Sequence, residues 1–159
     1  RSELGDIYLP AHCYFFIGDT SGLYAVPLCF GVPVVGVNRV PLADLPLGNK
    51  DLFIVKKYRC AETKKNLTFR EIVEIGADQW FNGNIYADNG IEVIENTSAE
   101  IADVVLEMRL RLEGEWVPSE GDDELQDQFW EIFPPGHRVE GNPARIGAQF
   151  LRQNVELLN

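Results

Sequence analysis

Residues Phe15 to Gly22 read Phe-Phe-Ile-Gly-Asp-Thr-Ser-Gly, an apolar run that ends at a glycine and continues into small hydroxyl and acidic residues. The pattern predicts a strand, a tight turn and the N-terminus of a helix. Such a turn directs backbone N–H groups and the positive end of a helix dipole at one point beyond the strand, and phosphate is the ligand that best fits this point. The alternative is an ordinary βα loop in which Asp19, Thr20 or Ser21 is the helix N-cap. The predicted phosphate contacts are Gly18, Thr20, Ser21 and Gly22.

A second strand is predicted after this helix. The helix is expected over Ser21 to Phe30, where Gly31 ends it, and the run Val-Pro-Val-Val-Gly-Val over 32–37 is too short and too β-branched to be helical. Since neither strand alternates with polar residues, the two should lie parallel in a sheet that is covered on both faces. Ligands bind at the carboxyl ends of such strands, so Gly18 to Gly22 and Asn38 to Pro41 are expected on one rim.

The rest of the chain continues the pattern of an α/β protein. Thr68 to Glu71 and Thr97 to Glu100 have the spacing of capping boxes, and the second opens a helix of roughly 16 residues that Gly114 ends. Two further helices are expected over 122–133 and 143–154. The predicted strands are Cys13 to Ile17, Val32 to Val37, Leu52 to Val55 and Ile91 to Ile94. These elements predict a Rossmann-like three-layer α/β sandwich with a parallel sheet of about four strands.

Composition and charge exclude several classes of partner. The 159 residues are 45% hydrophobic and carry a formal net charge of −11, which disfavours nucleic acid and anionic lipid because both need a basic surface. The longest apolar run, Leu23 to Val37, is interrupted by Pro27, Gly31 and Pro33, so no membrane span is expected. The N-terminus lacks the pattern of a signal peptide. A cytoplasmic protein is therefore predicted.

Cysteine and histidine usage does not suggest a metal site. The three cysteines have no paired spacing and are interpreted as buried or incidental thiols. His12 and His137 are far apart in the chain and have no Cys or acidic residues at ligand spacing around them. The sequence accordingly predicts no metal.

Polar residues beyond the turn are candidates for contacts with the same ligand. Lys56 or Lys57, which follow the third predicted strand within a basic cluster, would balance phosphate charge; the alternative is a solvated loop. Asp19 is expected to point away from phosphate, to cap the helix or to bind a sugar hydroxyl. The loop Asp78 to Asn82 either contacts a sugar or buries Trp80.

Several segments of the chain together resemble a known family. They are Asp6-Ile7-Tyr8-Leu9, Phe15-Phe16-Ile17-Gly18 with Ser21-Gly22, Gly31-Val32-Pro33-Val34-Val35, Asp51-Leu52-Phe53-Ile54, Leu67-Thr68-Phe69-Arg70-Glu71-Ile72, Glu124-Leu125-Gln126 with Phe129-Trp130, Ala144-Arg145-Ile146-Gly147, Phe150-Leu151-Arg152 and Leu157-Leu158. The resemblance is to the C-terminal, donor-binding half of a bacterial family of predicted GT-B-type glycosyltransferases. It covers nearly the whole chain.

The resemblance implies a role for the residues already singled out. Residues 1–114 would form a Rossmann-like nucleotide-sugar-binding domain whose turn receives the donor pyrophosphate, and 115–159 a C-terminal helical extension packed on it. GT-B donors often have their ribose held at the end of a strand before a capped helix. This makes Glu95 or Asn96 a candidate ribose contact, with helix capping as the alternative, and Asn38 a further candidate donor contact. GT-B transfer commonly needs no bound metal, so no cofactor is predicted.

The number of predicted strands indicates how much of a GT-B enzyme the chain would supply. A GT-B enzyme has two Rossmann-like halves, and about four strands are fewer than a full C-terminal half has. The chain, which begins at Arg1, is therefore interpreted as a fragment whose missing N-terminal half supplies the acceptor site and the general base. Its predicted partners are a nucleotide sugar, that missing half and, through exposed apolar surface, a second copy in a homodimer. The alternative function is a non-catalytic α/β phosphate- or nucleotide-binding module in assembly or regulation.

Overall fold

A computed structural model describes residues 3–159 of the chain. Its helices are α1 (Glu3–His12), α2 (Ala25–Cys29), α3 (Phe69–Glu74), α4 (Gly83–Asp88), α5 (Ser98–Glu113), α6 (Asp122–Glu131) and α7 (Ala148–Gln153). Its strands are β1 (Phe16–Gly18), β2 (Val34–Arg39), β3 (Leu52–Val55), β4 (Lys57–Cys60), β5 (Ile91–Ile94) and β6 (Arg145–Ile146). Short 3-10 turns lie at Gly22–Tyr24, Ala77–Gln79 and Val155–Leu157.

The main sheet is parallel and its strands lie in the order β1-β2-β3-β6. Every residue of β3 is buried, as expected for a central strand covered on both faces. On one face Phe53 packs against Phe129 and Trp130 of α6. On the other, the missing side chain of Gly147 lets Ile54 approach Val104 of α5, because a Cβ there would lie 3.1 Å and 3.2 Å from their methyl groups. The structure thus confirms the predicted three-layer, Rossmann-like α/β sandwich.

The fourth strand of this sheet differs from the prediction. Ile91–Ile94 is a strand, but it pairs antiparallel with β4 in a separate two-stranded sheet, and the prediction that it joins the parallel sheet is wrong. The chain leaves β3 at Lys56 and starts β4 one residue later. In β5, Glu92 forms a 2.7 Å ion pair with Arg59, which a strand covered on both faces would not permit.

A short strand in the C-terminal segment takes the place in the parallel sheet that was predicted for Ile91–Ile94. β6 lies within residues 143–154, which were predicted to be one helix, and it pairs with β3 at two positions. Two residues are too few to produce a recognisable strand pattern. The segment 115–159, expected to be a helical extension, contains α6 and α7 but also supplies this strand to the sheet.

The helix after β1 is shorter than predicted. The span 21–30 holds a 3-10 turn and then the five residues of α2, and Gly31 ends it with φ of +68°. Pro27 lies inside α2, and a proline shortens or kinks a helix because it lacks an N–H donor. By contrast, α5 runs for the predicted 16 residues from its Thr97 cap to Gly114.

Candidate functional site

A cavity of about 590 Å³ lies at the carboxyl edge of the parallel sheet. Loops that follow three neighbouring strands reach it: Thr20 comes after β1, Val40 and Pro41 after β2, and Lys56 after β3. The carboxyl ends of adjacent parallel strands meet at one edge, and in open α/β sheets this edge is where ligands bind. The remaining lining residues are Asp44, Trp80, Phe81, Gly83, Tyr86, Ala87, Ile91 and Val93.

Three aromatic residues, Trp80, Phe81 and Tyr86, form an aromatic wall of the cavity. Trp80 is half-buried and packs on Tyr86 with ring centroids 5.4 Å apart, whereas Phe81 is 65% exposed and lies under the Arg138 guanidinium at 5.3 Å. Asn82 caps α4 by accepting a hydrogen bond from the backbone N–H of Asn84. The loop 78–82 therefore places Trp80 and Phe81 on the cavity wall.

The turn after β1 carries a negative charge. The Asp19 carboxylate accepts a 2.8 Å hydrogen bond from the backbone N–H of Ser21, and this bond together with one from the Ser21 side chain lowers the pKa of Asp19. The backbone N–H of Ser21, a donor predicted to face phosphate, is thus occupied by an ionised side chain. Of the predicted phosphate contacts, Thr20 lines the cavity, while Gly18, Ser21 and Gly22 lie in the same turn outside its lining.

The two candidate lysines point to different places. Lys56 lines the cavity, and its Nζ lies 3.4 Å from Oε1 of Glu95, whose side chain is 76% exposed. Lys57 instead forms a 2.7 Å ion pair with Glu100, a buried residue in the first turn of α5. Lys56 is therefore the basic side chain that this segment contributes to the cavity, and Lys57 stabilises a helix N-terminus.

Asn38 and Asn96 meet, but they bind each other. The backbone N–H of each residue donates a 2.7 Å hydrogen bond to the side-chain oxygen of the other. The Asn96 amide also donates to the carbonyl of Val55 at 2.8 Å. Asn38 has a φ of 51°, a left-handed conformation that asparagine tolerates. This reciprocal pair joins the ends of β2 and β3 to the start of α5, which favours a structural role over the predicted ribose contact.

A buried arginine beside the cavity was missed at the sequence level. Arg39, the last residue of β2, is 0% exposed. Its Nε donates a 2.7 Å hydrogen bond to the carbonyl of Asp44, and its Nη1 donates to the carbonyl of Asp19 at 3.1 Å. The available signal was a cation two residues after the apolar run 32–37, with an acidic residue five positions later.

Hydroxyl groups beneath the cavity are already engaged. Burial raises the pKa of Tyr58, and a hydrogen bond at 3.2 Å joins its hydroxyl to that of Tyr86. Tyr86 in turn donates to the carbonyl of Trp80 at 2.9 Å. Nearby, Nε2 of His137 lies 2.9 Å from Oδ2 of the buried Asp78. These groups hold the aromatic wall in place and do not provide an acid or base within the cavity.

Within residues 3–159, no group of three His, Cys, Asp or Glu side chains is placed to hold a metal ion. Nor does any helix of that range have the length and hydropathy needed to cross a bilayer.

No protein-family model, curated protein or solved structure matches the chain. The family resemblance therefore stays a prediction.

Proposed function

We propose that the cavity binds a nucleotide sugar and that the chain is the donor-binding portion of a glycosyltransferase. One observation carries the proposal: loops from the carboxyl ends of β1, β2 and β3 converge on a single cavity. Its volume of about 590 Å³ lies within the range of small-molecule sites.

The chemistry of the lining supports this class of ligand. A hydroxyl donor, Thr20, and an ammonium group, Lys56, lie on the sheet side of the cavity. Both bind phosphate oxygens well, and the charge-assisted bond from lysine is the stronger of the two. The lining also includes Trp80 and Phe81, and aromatic side chains of this kind suit a base or a sugar ring. A ligand that carries both an anionic group and a ring would use both the polar and the aromatic residues of the lining.

Transfer of the sugar would require a second half. Asp44, Lys56 and Tyr86 are the cavity-lining residues with titratable side chains in the described part of the chain, and the Tyr86 hydroxyl is engaged with carbonyl groups. A transferase must hold acceptor, base and donor within about 3–3.5 Å of attack distance. We therefore propose an N-terminal half as partner and expect this chain by itself to bind donor without turnover.

The edge of the sheet offers a surface for that partner. β1 is an edge strand whose Ile17 is exposed, and α1, which packs against α2, exposes Leu4, Ile7 and Leu9. Unpaired edges and contiguous apolar surface favour association. Where the partner half is absent, this surface is the candidate homodimer contact, which concentration-dependent sedimentation would detect.

One observation favours the second candidate, a non-catalytic phosphate- or nucleotide-binding module. The Asp19 carboxylate already takes the Ser21 N–H, so the turn offers less to a diphosphate than the sequence predicts. Such a module would bind pyrophosphate as tightly as any nucleotide sugar, because the aromatic wall would contribute nothing. A donor site would prefer one nucleotide sugar over pyrophosphate.

Calorimetry with UDP, GDP, CDP and ADP, each with its sugars, tests the proposal. Lys56→Gln should weaken binding about tenfold, equivalent to about 1.4 kcal/mol, because a charged hydrogen bond to phosphate is lost. Lys65→Gln is the matched control, since Lys65 is an exposed residue outside the cavity lining, and it should leave the affinity unchanged. Absence of nucleotide binding, or equal affinity in Lys56→Gln and wild type, would refute the donor site.

A further inference from the structure

The Arg39 guanidinium is held in place from three sides. The carbonyls of Asp19 and Asp44 accept hydrogen bonds from Nη1 and Nε, and the ring of Tyr24 lies 4.7 Å from the central carbon. Space for the side chain depends on Gly36, because a Cβ there would lie 2.9 Å from Cδ of Arg39. Residues from the loops after β1 and β2 therefore hold a fixed positive charge at the carboxyl edge.

One nitrogen of this group has no hydrogen-bond partner. Nη2 of Arg39 is buried and makes no hydrogen bond. The carboxylate of Asp44 contributes an ion pair at 3.5 Å, which is too long for a good hydrogen bond. A buried, unsatisfied donor is costly and calls for an explanation. Arg39 is not itself a lining residue, but its nearest carboxylate belongs to Asp44, whose side chain is 20% exposed and lines the cavity.

We infer that Arg39 is a second anion-binding group of the cavity and that Asp44 is the counterion which a ligand phosphate displaces. The inference rests on the proposed function for the identity of the ligand, but not for the exchange itself. Thr20 and Asp44 line the same cavity, so a phosphate that takes the place of the Asp44 carboxylate enters the cavity that Thr20 also lines. Displacement needs only a change in the Asp44 side chain, because the Asp44 carbonyl keeps its bond to Nε.

The charge of the site agrees with this exchange. Arg39 and Lys56 contribute two positive charges, and each has one carboxylate beside it, from Asp44 and Glu95 respectively. Displacing Asp44 frees Arg39 for the ligand, while Lys56 keeps a 3.4 Å pair with the exposed Glu95 side chain. The strand ends that carry them are adjacent, since the N–H of Lys56 donates to the carbonyl of Arg39 at 3.1 Å. Two fixed cations on neighbouring strands suit a diphosphate better than a single phosphate.

The test uses the full chain with pyrophosphate and the nucleotide panel as probes. Asp44→Asn should bind pyrophosphate about five- to tenfold more tightly than wild type, since the competing carboxylate is gone. Asp127→Asn makes the same change of charge at an exposed position of α6 and should have no effect. Arg39→Lys should weaken binding at least tenfold, because lysine cannot reproduce the fork of donors.

The outcomes separate this inference from the proposed function. Nucleotide binding that Asp44→Asn leaves unchanged would overturn the counterion exchange and leave the donor site standing. Pyrophosphate binding strengthened by Asp44→Asn, without any preference for a nucleotide, would support the exchange and refute the donor site. Absence of binding by both wild type and Asp44→Asn would overturn both. If Arg39→Lys shows no thermal unfolding transition, the variant is not folded. The comparison of Asp44→Asn with Asp127→Asn then decides the test by itself.

Discussion

Two helix starts near the carboxyl edge of the sheet differ in how their first N–H groups are satisfied. At α5, the Thr97 hydroxyl accepts from the N–H of Glu100 at 3.2 Å, and the Glu100 carboxylate accepts from the N–H of Thr97 at 2.7 Å. At the turn after β1, Ser21 is the N-cap but its side chain makes no capping bond. Asp19 supplies the carboxylate there instead, by bonding to Ser21.

This difference distinguishes a helix start that stabilises the fold, at α5, from a turn that is a candidate ligand site, after β1. The start of α5 is closed: its cap is reciprocal, and Lys57 neutralises the buried Glu100. The turn after β1 leads into a 3-10 turn and a helix of five residues, and its Thr20 side chain remains free to line a cavity. A turn whose side chains do little for the fold is the better place for a ligand, because binding and stability then do not compete.

The largest loss of stability at either helix start should come from substitution of Asn96, which ties the start of α5 to β2 and β3. Asn96→Ala removes the acceptor for Asn38 and the donor to Val55, leaving two backbone groups without partners. We expect a loss of about 3 kcal/mol in the free energy of unfolding. Urea denaturation measures it, with Asn84→Ala at an exposed position of α4 as the control. A loss below about 1 kcal/mol would show that the reciprocal pair is dispensable.

The two caps should differ in their value for stability. Thr97→Ala should cost about 1 kcal/mol because it removes the side-chain bond to Glu100. Ser21→Ala should change the free energy of unfolding by less than about 0.5 kcal/mol, since its side chain caps nothing. Thermal unfolding of the two variants measures the contrast. Equal losses would contradict the division between a closed and an open helix start.

The cap of α5 should also make stability depend on pH. Burial raises the pKa of Glu100, but hydrogen bonds from Lys57 and Thr97 outweigh it, and the pKa lies below its ordinary value of 4.5. The folded state therefore binds fewer protons than the unfolded chain. This contribution, about 0.5 kcal/mol or more, is present above pH 4.5 and is lost as the pH falls through the folded pKa.

Glu100→Gln isolates that contribution. The variant should be less stable than wild type at pH 7, and the difference should shrink as the pH is lowered below 4.5. Urea midpoints across the acid range measure it. A difference that stays constant with pH would mean that the charge of Glu100 plays no part in the cap.

The smallest effect on stability is expected at Gly22. A Cβ at this position meets no atom within 4 Å, so Gly22→Ala should leave the unfolding midpoint unchanged. If the turn approaches a diphosphate closely, the same variant should weaken nucleotide binding several-fold. Unchanged affinity would place the phosphate away from the turn and toward Lys56.

Local patterns in the sequence predicted a good part of this molecule. The capping box at Thr97, the 16 residues of α5 and the stop at Gly114 follow from contacts between residues a few positions apart. The apolar runs that become β2 and β3 were recognisable because strands covered on both faces need no polar alternation. Thr20 and Lys56 were predicted to face one rim, and both line the cavity.

Other features depend on distant parts of the chain. Most of these features are set by partners 10 or more residues away in the chain. They are the pairing of β5 with β4 and of β6 with β3, the burial of Arg39 over Gly36, and the different contacts of Lys56 and Lys57. Lys56 and Lys57 are adjacent and chemically identical, so no pattern could tell them apart; the bend between β3 and β4 sends one to the cavity and the other to Glu100. The sequence by itself determined the α/β class and the bounds of α5, because these depend on hydrogen bonds and periodicity within short segments. Only the tertiary structure decided which side chains share the cavity, because that depends on which strand ends meet and on which charges are neutralised where they do.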